Sequence, residues 1–127
     1  MSEHKQTIVL RKDLNMRKGK MVAQGAHASM RAILQLGQQV GSTYVIPLDE
    51  RVKPWLTGRF KKICVSVNSE AELLALYEKA KAAGVIAALI RDAGLTEFGG
   101  VPTYTALAVG PDREERIDEI TGGLPLL

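Results

Sequence analysis

The sequence predicts an α/β sandwich in which a mixed four-stranded sheet carries helices on both faces. Three observations lead there. Four short runs, at 7–10, 62–67, 85–90 and 104–109, have the alternating or continuously apolar character of strands. Of the three segments between and after them, the first has polar residues at helical spacing and the other two carry helix start and stop signals. Their order, β-α-β-α-β-β-α, is that of a small α/β domain.

Thr7 to Leu10 form the first predicted strand, and the turn-rich Asp13-Leu14-Asn15-Met16 leads into a helix from about Arg17 to Gln38. Residues 39–59 read as irregular, with Gly41, Pro47, Pro54 and Gly58 as breakers. A loop of that length in a small domain is usually functional or mobile. In 62–67, Ile63, Val65 and Val67 alternate onto one side. Ser69-Glu70-Ala71-Glu72 is a capping box that opens a helix running to Lys79 and Lys81, before Gly84. Val85 to Ile90 is apolar throughout, as in a strand covered on both faces. After the strand at 104–109, Pro111 and Asp112 are expected to start a last helix, with Glu115 three residues beyond the capping Asp and Gly122-Gly123 at its end.

The 127 residues fit a single domain, 1–127, large enough for a core without disulfide or metal staples. Apolar residues make up 46% and charged residues 24%, the balance of a soluble globular chain. No apolar run approaches the roughly 18–20 residues of a membrane span. Met-Ser-Glu-His-Lys-Gln lacks the apolar core of a signal peptide. Cys64 is the single cysteine, expected as a buried strand residue; the absence of an intramolecular disulfide suits a reducing cytosol. The net charge is +3, but residues 1–31 hold seven basic groups against Glu3 and Asp13, and the remaining 96 residues total −2. Such a patch attracts anionic, phosphate-rich partners, although a solvated charge run has the same composition.

Within the first helix, Lys20, Gln24, His27 and Arg31 recur at spacings of four, three and four, a narrow polar stripe on one face. The rest of the circumference is small or apolar, so the stripe reads as one wall of a cleft. A second constellation, Arg91-Asp92-Ala93-Gly94-Leu95-Thr96-Glu97, follows the apolar strand. Carboxyl ends of strands are where α/β sheets place their sites, which makes Asp92 a candidate catalytic carboxylate; Asp-x-Gly is also ordinary turn chemistry. Thr103 and Thr105 sit two apart at a strand start, expected to face the same side. The chain lacks a phosphate-binding P-loop, the ligand spacing of a Cys/His metal site and the order of a nucleophilic triad. His27 and Asp92 are therefore the evident base candidates, and no metal or cofactor is expected. Trp55 reads either as a plug anchoring its loop or as a cover for a bound base.

In combination these motifs resemble one family. Val9-Leu10-Arg11-Lys12-Asp13-Leu14, then Lys18-Gly19-Lys20, Ala23-Gln24 and His27-Ala28, are similar to the opening of the peptidyl-tRNA hydrolase 2 family. Ile90-Arg91-Asp92-Ala93-Gly94, Thr96, Thr103-x-Thr105, Ala108-Val109-Gly110-Pro111 and Ile120-Thr121-Gly122 continue the likeness to the end of the chain. The resemblance implies a three-layer α/β/α fold, its four strands in the order 2-1-4-3 with one antiparallel. It implies hydrolysis of the ester between a peptide and the terminal ribose of tRNA, recycling tRNA from stalled translation, in a cytoplasmic homodimer. The family's lysine, glutamine and histidine fall on Lys20, Gln24 and His27, its Asp-Ala-Gly aspartate on Asp92 and the next threonine on Thr96. A later family threonine, usually after glycine, falls on Thr103, which here follows Pro102.

On this reading Lys20, His27, Asp92 and Thr96 are catalytic, and Gln24 and Thr103 position the substrate. Asp92, with or without His27, handles the attacking water and Lys20 stabilises the oxyanion; exchanging His27 and Asp92 fits equally well. Lys12, Arg17, Lys18 and Arg31 would grip the tRNA backbone. The rival reading is a non-catalytic module of the same fold that binds tRNA or a protein. Against it stands the presence of all five polar residues, Lys20, Gln24, His27, Asp92 and Thr96.

Overall fold

A computed structural model of the protein describes residues 3–127. Met1 and Ser2, part of the segment read for a signal peptide, lie outside them. In chain order the elements are β1 (His4–Arg11), α1 (Lys18–Leu34), a hairpin of β2 (Gln38–Val40) and β3 (Thr43–Val45), and the single turn α2 (Lys53–Leu56). They continue with β4 (Lys62–Val67), α3 (Glu70–Ala82), β5 (Ala87–Asp92), β6 (Thr103–Arg113) and α4 (Glu114–Thr121). The main sheet runs β4-β1-β6-β5, which is the order 2-1-4-3 for its four strands. β4 lies parallel to β1, while β6 is antiparallel to both β1 and β5.

Alternation along the strands divides the core between the two faces. Val9, Val65, Val67, Leu107 and Val109 pack with Leu73 of α3 and Ile117 of α4. Ile8, Leu10, Ala88, Ala106 and Ala108 pack with Ala28 and Ala32 of α1. The apolar run at 85–90 serves both layers, as expected: Ala87 and Leu89 join the first cluster, Ile86, Ala88 and Ile90 the second. As drawn from the sequence, Ser69 caps α3 by accepting the Glu72 N–H; the Glu72 carboxylate accepts the N–H of Asn68, one residue before the cap, rather than that of Ser69.

Several boundaries differ from the sequence reading. α1 stops at Leu34 rather than Gln38. The Leu36 N–H turns back to the Ile33 carbonyl and the Gly37 N–H to that of Leu34, and a Cβ at Gly37 would lie 2.6 Å from the Val45 carbonyl. Only glycine lets the hairpin fold back that closely on the helix end. The segment 39–59 therefore contains a hairpin and a helical turn, with Val52 and Trp55 buried. Trp55 takes the plug role: it is 1% exposed, its Nε1 donates to the Lys61 carbonyl at 2.7 Å, and its ring lies 4.5 Å from that of Phe60.

The last helix begins at Glu114, so Asp112 is not its cap. β6 continues through Pro111 to Arg113, because β1 extends back to His4 and pairs with it there (Lys5 with Asp112, His4 with Arg113). Cys64 is exposed, contrary to the expectation of burial. Strand alternation turns it away from Ile63, Val65 and Val67, and its carbonyl accepts the Leu127 N–H of the carboxyl-terminal tail. Among the described residues no helix is long and apolar enough to cross a membrane.

Candidate active site

Small residues bring α1 close to the sheet. A Cβ on Gly25 would sit 3.5 Å from Ile8, while Ala28 and Ala32 are fully buried. With that face of the helix fixed, Gln24 is 2% exposed and Lys20, one turn earlier, points along the sheet surface to the end of β5. The opposite side of α1 is not buried: Val22 and Met30 are 72% and 59% exposed. The reading of α1 as apolar and covered all round its stripe is therefore corrected.

Asp92 ends β5 and meets the stripe. Lys20 Nζ lies 2.9 Å from Asp92 Oδ1 and 2.7 Å from Thr96 Oγ1. Gln24 Nε2 donates to the same Oδ1 at 3.3 Å, and the Gly94 N–H donates to Oδ2 at 2.8 Å. The Lys20 ammonium, with the Gly94 and Gln24 donors, outweighs desolvation and holds the Asp92 carboxyl below the ordinary carboxylate range. Asp92 is thus a carboxylate at neutral pH, with both oxygens oriented.

The loop after β5 closes this arrangement. Gly94 has φ +82° and its Cβ would lie 2.2 Å from the Val101 carbonyl, so the turn presenting its N–H to Asp92 requires glycine. Glu97 accepts the Arg17 N–H at 3.4 Å and lies 3.8 Å from the Arg17 guanidinium, which ties the loop to the start of α1. The Phe98 ring centroid is 5.7 Å from Lys20 Nζ.

Sequence reasoning listed one residue here without a role. Thr105 is fully buried and donates its hydroxyl hydrogen to Gln24 Oε1, so both ends of the Gln24 amide are engaged. The register explains it: Ile90 pairs with Ala106 but Arg91 with Tyr104, which leaves Thr105 opposite no residue of β5. Thr103, opposite Asp92 in the ladder, instead donates its hydroxyl to the Val101 carbonyl at 2.8 Å. The signal available in the sequence was the Thr-x-Thr spacing; the bulge that separates the two was not in it.

The remaining candidates lie around this centre. His27 is exposed, and its imidazole makes no hydrogen bond among the described residues. It lines, with Arg31 and Arg91, a groove of about 560 Å³ between α1 and β5. Lys12, Arg17 and Lys18 are exposed at the start of α1. Arg31 is about 20 Å further along the helix from Arg17, so three of the four basic residues precede Lys20 and Arg31 stands apart beyond it. Among the described residues no three His, Cys, Asp or Glu side chains gather where a metal ion would sit.

Comparison with known proteins identifies the family. Residues 4–127 match the family model described as peptidyl-tRNA hydrolase PTH2. A peptidyl-tRNA hydrolase of Methanocaldococcus jannaschii is 45% identical over 97% of this chain and 99% of its own length. That of Methanopyrus kandleri is 45% identical over 98% of each chain, and that of Thermococcus onnurineus 42% identical over the full length of both. With the match running through every element that builds the Lys20–Asp92 centre, the chain belongs to the peptidyl-tRNA hydrolase PTH2 family.

Proposed function

We infer that this protein hydrolyses peptidyl-tRNA, cleaving the ester between the peptide carboxyl and the terminal ribose, and that Lys20 and Asp92 carry the reaction. Family membership supports the activity. The observation that supports the site is the Lys20–Asp92–Thr96 hydrogen-bonded cluster at the carboxyl end of β5. An ammonium has three N–H donors, and Lys20 spends two on Asp92 and Thr96. The third is free for the oxygen that becomes negative as water adds to the carbonyl.

A carboxylate held this acidic is a weak base, so Asp92 acts chiefly by accepting an O–H of the attacking water and aiming its oxygen at the ester carbon. The new C–O bond forms, the bond to the ribose oxygen breaks, and the water's proton ends on that oxygen. Thr96, accepting from Lys20, keeps its own hydroxyl hydrogen for the substrate. Gln24 works through Asp92, since Asp92 and Thr105 occupy its amide. His27 and Thr103 border the substrate rather than the reacting atoms. The decisive experiment is hydrolysis of N-acetyl-aminoacyl-tRNA by the purified protein beside a folded Asp92→Asn variant; binding of tRNA without cleavage by the wild type would reject the esterase reading.

The tRNA backbone is gripped by Lys12, Arg17 and Lys18 beside the positive end of the α1 dipole, with Arg31 beyond the centre. The first turn of α1 has no acidic residue to offset them. Raising salt from 50 to 200 mM should increase KM several-fold and change kcat little; a flat KM profile would reject the grip.

In this reading the protein works in the cytosol as a homodimer. Support for self-association comes from the β2–β3 arm, a two-stranded ribbon whose Val40, Tyr44 and Val45 are exposed, as are Leu56 and Phe60. Such a ribbon is marginal without a partner surface. Crosslinking in intact cells should yield a dimer in the soluble fraction, lost on Tyr44→Glu; a monomer at all concentrations would reject it.

A further inference from the structure

β5 is an edge strand, paired with β6 on one side and with no strand on the other among the described residues. The Ile86 carbonyl accepts the Gly110 N–H and so faces β6. Alternation then turns the N–H and C=O of Ala87 and Leu89 to the open edge. The Ala87 carbonyl confirms this parity, because Gln35 from the end of α1 donates to it at 3.0 Å. The backbone of Leu89 has no such partner. Beside it lies the groove of about 560 Å³, walled by Ala26, Met30 and Leu34 of α1 together with His27 and Arg31, and floored by Leu89, Ile90 and Arg91 of β5.

We propose that this groove takes the last residues of the peptidyl moiety as a strand added to β5, with the ester delivered to Lys20 and Asp92. The proposal rests on the peptidyl-tRNA hydrolase reading above. The groove adjoins that centre: Arg91, which lines it, directly precedes Asp92 in β5, and His27, which also lines it, follows Gln24 by one turn of α1. With the Ala87 carbonyl taken by Gln35, the open edge runs from Leu89 to Asp92, about 13 Å, enough for three or four residues of an added chain. Main-chain hydrogen bonds hold a peptide without regard to its side chains, which is what a hydrolase acting on arbitrary interrupted peptides requires.

The test uses the full-length protein and tRNA carrying one to four alanines, each N-acetylated. Two added backbone hydrogen bonds should raise kcat/KM about tenfold between one residue and three. N-methylation of the peptide nitrogens one at a time should remove the gain at alternate positions only. The L89P variant, which removes an N–H from the open edge while leaving the β6 ladder intact, should reduce the length dependence to within twofold. Equal rates for all lengths in the wild type, or gains untouched by every N-methyl group, would overturn the proposal. So would a uniform loss on every substrate in L89P of wild-type Tm, which would give the groove to the RNA 3′ end. No hydrolysis of any of the four would overturn the esterase reading and this inference with it.

Discussion

Lys20→Met should lower kcat by about 10²–10³-fold, the usual effect of removing a pre-oriented donor to a developing oxyanion, with tRNA binding retained. Methionine keeps most of the apolar stem that lies against the sheet and removes only the ammonium. Asp92→Asn should cost a similar factor, because the amide holds neither Lys20 nor the water in the same way. The double variant should be no worse than about threefold below the poorer single one, since groups that act as a unit are not additive. Single-turnover hydrolysis of N-acetyl-aminoacyl-tRNA reads all three. Rates near wild type in folded Lys20→Met would remove Lys20 from the mechanism.

The same pair sets an expectation for pH. Lys20 and the Gly94 N–H lower the Asp92 pKa in the folded protein. Its contribution to stability is therefore present above the unfolded carboxylate value of about 3.9 and is lost as pH falls through the lower folded value. The acid limb of kcat/KM should accordingly lie below about pH 4 in the wild type. In Lys20→Met the largest lowering cause is gone while burial still opposes the charge, so that limb should move to higher pH. An unmoved limb would show that another group controls it.

Trp55→Ala should have the largest effect on stability, about 3–5 kcal/mol, or a fall in Tm of roughly 10–20 °C for a chain of this size. It deletes a fully buried ring and leaves the Lys61 carbonyl without its 2.7 Å donor. Activity measured well below the new Tm should stay within twofold of wild type, since Trp55 is remote from the Lys20–Asp92 centre. A variant of unchanged Tm with a raised KM for tRNA would instead make Trp55 a contact of the RNA.

The elements were largely legible because they depend on local periodicity and capping. Ser69 caps α3 at the Glu72 N–H as its spacing predicts, and Ile63, Val65 and Val67 share one face. The departures have longer-range causes. Pro111-Asp112 with Glu115 resembles a helix start, yet pairing with the first residues of β1 keeps that stretch extended to Arg113. Gly37 ends α1 because a hairpin carbonyl lies against it, eight residues away in sequence.

By itself the sequence determined the layered α/β architecture, the polar stripe of α1 and the placing of Asp92 after an apolar strand. These follow from residue type and spacing, which act within a few turns of chain. Only the tertiary structure decided which of the polar residues meet. Lys20 and Asp92 are 72 residues apart, and their contact depends on α1 crossing the sheet at Gly25 and Ala28. It engaged Gln24 through Thr105, at a bulge no local pattern marks, and sent His27 and Arg31 to the neighbouring groove. Spacing along a helix aligns side chains on one face; how far each reaches is set by the strand it finds opposite.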